Sequence, residues 1–187
     1  MDRPNVVFLS TDQQSWDAIS SAGNPYVATP NIDRIRAAGS SFDRAYCTNP
    51  VCAPARSSWA TGLYSTETGV PFNDGLLHED IRDIGQLLTA GGYHTAHAGK
   101  WHVEGRDVQD GFDCLYFGKA EILAGGGEYY DGPTCRAVTD FLTSSRLSEP
   151  FFLQVGLINP HDICEFEHLQ EINAVPAPAS QGLLDDS

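Results

Sequence analysis

Basic residues are the scarce class in this sequence: 11 Lys and Arg stand against 25 Asp and Glu, for a formal net charge of −14. A chain this acidic is a poor partner for nucleic acid or for an anionic membrane surface. An anionic ligand would have to be drawn to a local positive site against a repulsive overall field. Long apolar runs are also missing, since no stretch approaches the roughly 20 apolar residues of a membrane span. The opening Met1-Asp2-Arg3-Pro4-Asn5 lacks the regions of a secretory leader, so a cytoplasmic location is expected. The five cysteines (Cys47, Cys52, Cys114, Cys135, Cys164) fall at irregular spacings, with no C-x-x-C and no Cys/His pattern of the zinc type. That argues against a disulfide framework, and four of the five are expected as small buried hydrophobes. Internal repeats and low-complexity runs are absent.

What remains is an ordinary globular composition, 41% hydrophobic and 19% charged over 187 residues, enough for one domain with a real core. Val6-Val7-Phe8-Leu9 is a continuous apolar run and reads as a buried parallel strand. Thr29-Pro30-Asn31 opens a helix that Gly39 closes, with Ile32 and Ile35 on its apolar side. Phe42 to Tyr46 is a candidate strand. A helix is expected from His78 to Ala90, stopped by Gly91-Gly92, and a strand from Tyr93 to Ala98. Gly125-Gly126-Gly127 reads as loop, Thr134 to Leu147 as helix, and Phe151 to Ile158 as the most apolar strand. This alternation implies an α/β fold, a mostly parallel sheet with helices on both faces. Residues 1–173 form the domain, and 174–187 read as a linker-like tail.

The chemistry gathers at Pro50-Val51-Cys52-Ala53-Pro54-Ala55-Arg56, ahead of Ser57-Ser58-Trp59-Ala60-Thr61-Gly62. Pro54 suits the first position of a helix and Gly62 the position past its end. Cys52 then sits at the positive end of that helix, with Arg56 about one turn further in. This is an anion-binding geometry with a nucleophile at its mouth, and both neighbours should lower the thiol pKa.

Three strand ends deliver further polar residues to the edge where α/β sheets bind ligands. The first brings Thr11-Asp12-Gln13, the second Gly99-Lys100-Trp101-His102, and the last Asn159-Pro160-His161-Asp162. In an extended backbone Lys100 and His102 point to one face, with Trp101 opposite. Asp12 and Gln13 offer only oxygen ligands, which suits a hard cation such as Ca2+ or Mg2+.

The C-x-P-x-R pattern of Cys52, Pro54 and Arg56 resembles the signature of the sulfatase family, whose cysteine is oxidised to formylglycine by a maturase that reads the unfolded segment. Gly92-Tyr93-His94-Thr95-Ala96-His97-Ala98-Gly99-Lys100 resembles the family's second signature, and the resemblance runs to about Glu165. It implies an alkaline-phosphatase-like fold, here incomplete, and the N-terminal part of a catalytic domain. It also implies metal binding by Asp12, Gln13 and the modified Cys52. Arg56 would hold the hydrated aldehyde, while Lys100, His102 and His161 bind sulfate and assist the leaving group. The expected reaction is hydrolysis of a sulfate monoester on a small molecule or glycan. Asp12-Gln13, where many sulfatases carry Asp-Asp, is similar to choline-sulfatase-like and phosphonate monoester hydrolase branches, so phosphonate or phosphate ester hydrolysis is the alternative. The family's downstream metal-binding Asp followed by Asn or His has no counterpart, which leaves a non-catalytic remnant as a further alternative.

Overall fold

The structure is a computed structural model of the chain, and it describes residues 3–117, 126–145, 147 and 150–164. Four parallel strands form one sheet: β1 (Val6–Asp12), β2 (His94–Gly99), β3 (Asp113–Phe117) and β4 (Phe151–Pro160), in the order β1-β4-β2-β3. Five helices accompany them: α1 (Pro30–Ala38), α2 (Cys52–Thr61), α3 (Ser65–Thr68), α4 (Ile84–Ala90) and α5 (Gly126–Thr143). The mixed α/β architecture is the expected one. Parallel pairing with helical crossovers covers both faces of β4, the most buried strand.

Alternation along β4 divides the core. Phe151, Leu153 and Val155 face α5, packing with Ala96 and Phe141. Phe152 faces the other way, into a second cluster with Val70, Leu77, Trp101, Val103 and Phe112, against which Ile84 and Leu88 of α4 also pack. Phe112 and Trp101 meet edge-to-face at 5.6 Å between centroids, a geometry that adds to their burial.

Several expectations are corrected. β1 is parallel but not buried; among the described residues it pairs with β4 alone, at the edge of the sheet, and Val7 and Leu9 are about half exposed. Residues 42–46 form no strand, and Phe42 and Tyr46 are solvent-exposed; the four strands among the described residues pair with one another and not with this segment. The helix expected from His78 begins only at Ile84. Asp83 caps it, accepting from the Gln86 amide at 2.9 Å while the Gln86 side chain accepts from the Asp83 amide. The helix expected over Thr134 to Leu147 is α5, which starts eight residues earlier and ends at Thr143, so Gly126 and Gly127 are helical rather than loop. Its first turn is held from outside: Oδ2 of Asp162 accepts from the Gly127 amide at 2.8 Å and from that of Glu128 at 3.3 Å. α1 runs as expected but buries no residue, and Ile35 is exposed. All five cysteines are free; Cys47, Cys135 and Cys164 are exposed, and none of the five is fully buried. The tail at 174–187 and Gly125 lie outside the described residues.

One close approach fixes where the strand ends emerge. Gly99, at φ 94°, and Gly156 pair across β2 and β4, and the Lys100 amide donates to the Gly156 carbonyl at 2.8 Å. A Cβ on Gly99 would stand 2.1 Å from that carbonyl oxygen, and one on Gly156 would stand 2.3 Å from the Lys100 carbonyl. Only glycine fits at either position.

Candidate active site

α2 begins at Cys52, two residues before the proline expected to open it, with Val51 as an extended N-cap and Gly62 at φ 74° as the stop. No side chain of the N-cap itself satisfies the first amides. Asn73, from a distant loop, does so instead, its Oδ1 accepting from the Ala53 amide at 3.0 Å. Nothing local in the sequence marks that cap. The helix therefore presents Cys52 at its first position and turns Arg56 inward, where it is buried.

The strand ends converge on this helix. Asp12 closes β1 and is buried. Lys100 follows β2, 2% exposed, and its Nζ lies directly on Oδ2 of Asp12. The Arg56 Nη2 is 3.6 Å from the same oxygen, while Nη1 donates to the Lys100 carbonyl at 2.8 Å. Arg56 thus ties the end of β2 to the end of β1, and it also lies over the Trp59 ring at 5.6 Å. The other carboxylate oxygen, Oδ1, faces the Cys52 sulfur at 3.7 Å. His161 arrives from β4, and one ligand atom each of Asp12, Cys52 and His161 lie within 4.8 Å of one another. A cleft of about 420 Å3 opens over this group, lined by Asp12, Gln13, Cys52 and Arg56 and walled by Cys47 and Trp59.

The electrostatics depart from expectation at one place. Burial alone would raise the Asp12 carboxyl, but the hydrogen bond and charge of Lys100, with Arg56 and His161, outweigh it and hold it below its ordinary value. The Cys52 thiol, expected to be lowered, is raised. Desolvation leads, and the facing Asp12 carboxylate adds to it, so Lys100 and Arg56 do not prevail.

For two of the seven candidate residues the side-chain contacts seen are with residues outside this cluster. Gln13, at φ 62°, lines the cleft, but its amide nitrogen donates to the Cys164 sulfur at 2.7 Å. His102 does not extend β2 as the alternation argument required: its φ is 52°, and Nε2 faces Glu104 Oε1 at 4.0 Å. Trp101 does point away from Lys100, into the core. Sequence reasoning also missed Asp131, whose oxygens accept from the Ile158 and Asn159 amides at 2.7 and 2.9 Å and brace the end of β4 ahead of His161.

The donor set fits a hard divalent cation in part. Both Asp12 oxygens face position 52, Lys100 and Arg56 contact Oδ2, and Gln13 follows on the cleft wall.

Residues 4–177 match the family model described as Sulfatase. The chain belongs to the sulfatase family. An N-acetylglucosamine-6-O-sulfatase of Bacteroides thetaiotaomicron is 31% identical over 99% of this chain and 34% of its own length. An uncharacterised sulfatase of Escherichia coli is 28% identical over 91% of this chain and 41% of its own. A structure solved in complex with its substrate D-glucosamine-2-N,6-O-disulfate superposes with a TM-score of 0.70, at 28% identity, over 98% of this chain and 40% of that one. This sulfatase chain therefore spans between a third and about two-fifths of the length of the relatives it matches.

Proposed function

We propose that this chain is the nucleophile-bearing part of a sulfatase that hydrolyses a sulfate ester, with Cys52 converted to formylglycine. The observation that carries the reading is the meeting of Asp12, Cys52 and His161 within 4.8 Å, with Lys100 and Arg56 buried beside them. Calcium or magnesium would be held by Asp12, Gln13 and residue 52. When bound, the cation supplies positive charge that polarises a sulfate oxygen and acidifies a hydroxyl beside it. Formylglycine, once hydrated, supplies two hydroxyls on one carbon, one to attack sulfur and one whose proton loss expels sulfate.

The chain's own residues do the remaining work. Lys100 is a fixed cation in a nearly dry site, where its charge on the equatorial sulfate oxygens is worth more than in water. Arg56, at the base of the cleft, holds the oxygens on residue 52 by charge-assisted hydrogen bonds. His161 is the histidine within reach of Cys52 and Asp12 and donates a proton to the departing alcohol. His102 is the alternative for that role, carried on a left-handed turn past β2 rather than on an extended strand. A sulfated glycan is the substrate class, because relatives named for N-acetylglucosamine-6-O-sulfate and N-acetylgalactosamine-6-sulfate hydrolysis share the family. Those relatives favour sulfate over the phosphonate and phosphate alternative.

The test is expression of this chain, and of any longer reading frame that carries it, with a formylglycine-generating maturase, followed by turnover of a panel of sulfate and phosphate esters. The peptide carrying Cys52 should lose thiol reactivity and react with hydrazides, and sulfate esters should be hydrolysed. A free thiol at Cys52 while the maturase converts a control protein would remove the central assignment.

A further inference from the structure

The encoded cysteine makes a different site from the aldehyde that would replace it. Thiolate, imidazole and carboxylate are zinc ligands, with bonds of about 2.3, 2.0–2.1 and 2.0–2.2 Å in tetrahedral geometry. Those lengths place sulfur and oxygen on one metal ~3.6 Å apart. Cys52 Sγ and Asp12 Oδ1 stand at 3.7 Å. A His161 nitrogen lies within 4.8 Å of the sulfur and of one Asp12 carboxylate oxygen and needs to close by roughly 1 Å, which a side-chain torsion supplies. Both Asp12 oxygens face the sulfur, Oδ2 at 3.9 Å, and Lys100 and Arg56 hold Oδ2 as outer-shell partners do, which leaves Oδ1 as the oxygen those two cations do not contact. The cleft above leaves room for a fourth, water ligand.

The geometry points to a tetrahedral site for a thiophilic divalent cation, zinc or cobalt, formed by Cys52 Sγ, His161 and Asp12 Oδ1 while residue 52 is still cysteine. On binding, the Cys52 S–H proton passes to solvent, a sulfur–metal bond forms, and the metal gives up waters; nothing is oxidised or reduced. The two nearby cations weaken binding of a dication, and the three protein ligands leave the centre open at a fourth position. Conversion of Cys52 removes the sulfur and leaves oxygen donors with one imidazole, which shifts the preference from soft metals to hard ones. The state of one residue thus selects the metal. The inference uses the cysteine as encoded and does not rest on sulfatase activity.

The test uses the purified 187-residue chain, with Cys52 shown by mass spectrometry to be unconverted and reduced, titrated with Co2+ alone. One equivalent should give a thiolate-to-cobalt charge-transfer band and the strong visible absorption of tetrahedral cobalt. Zn2+ should displace it, and excess Ca2+ should not. Cys52→Ser should abolish the charge-transfer band, and His161→Gln should weaken binding by about 100-fold, at least what loss of an outer-shell partner costs. A Cys47→Ala/Cys164→Ala variant should keep the spectrum, since those exposed thiols near the cleft are the competing ligands. Circular dichroism establishes that each variant is folded, and protection of Cys52 from alkylation by Zn2+ in the unaltered chain reads the same contact without substitution. The proposal is overturned by any of four results: no tetrahedral spectrum, a charge-transfer band that survives in Cys52→Ser, loss of the spectrum in the Cys47/Cys164 variant, or unchanged affinity in His161→Gln.

Discussion

The ammonium of Lys100 lies on the carboxylate of Asp12, and both side chains are almost completely buried at the ends of two strands that are not neighbours in the sheet. A buried pair of this kind costs about 3–5 kcal/mol to break from one side, and the low end applies here because Asp12 keeps Arg56 at 3.6 Å and borders the cleft. Lys100→Met should lower the unfolding free energy by about 3 kcal/mol in denaturant titrations. Asp12→Asn combined with it should recover part of that loss.

In a family-length enzyme, Lys100→Ala should cost roughly 2–4 kcal/mol of transition-state stabilisation, read as a fall in kcat/KM. His94→Ala should cost far less, since His94 sits at the opposite end of β2, bonded to Asp113 at 2.9 Å. Equal losses at the two positions would place the anion site elsewhere.

His97 should give the fold a pH dependence of its own. It is buried against Trp101 and Phe112, and desolvation, only partly opposed by a hydrogen bond to the Gly99 carbonyl, pulls its pKa from 6.5 to about 4. Between those values the unfolded chain holds a proton that the folded chain does not. Stability is therefore full above pH 6.5 and falls as the pH drops toward 4, by about 1 kcal/mol per unit. Urea unfolding of the unaltered chain and of His97→Leu at several pH values checks this; the variant should lack that slope.

Maturation should depend on linear sequence. Replacing Pro54 or Arg56 should reduce conversion of Cys52 by the maturase even in an unfolded peptide, measured by mass spectrometry. Equal conversion of all peptides would show that the pattern is not what the maturase reads.

Asp162 carries the start of α5 from across the chain. Asp162→Ala should cost about 1–2 kcal/mol, as loss of a helix cap does, and should speed amide exchange at Gly127 and Glu128.

The sequence shows its sheet and its chemistry more clearly than its helix boundaries. That Asp12, Cys52, Arg56, Lys100 and His161 come close together was legible because strand ends and one helix start carry them, and backbone geometry there is local. The boundaries of α4 and α5 and the start of α2 were not, because Asp83, Asp162 and Asn73 set them through side-chain bonds, two of which come from far along the chain. The exposed β1 was misread for a related reason. An apolar run reports what a strand could bury, whereas its neighbours decide what it does bury. The Cys52 thiol failed differently, since helix and arginine were visible in the sequence but the facing carboxylate and the loss of water were not.

The contact between Gly99 and Gly156 makes the loops that carry Lys100 and His161 share a fulcrum. Each loop leaves its strand within a few residues of that point, so a wedge between the backbones there would turn into an angular error at Lys100 and His161. A methyl group at either glycine would move the ammonium and the imidazole apart together, without touching either. Alignment of the two functional groups is in this sense a single mechanical variable, set by the absence of two side chains.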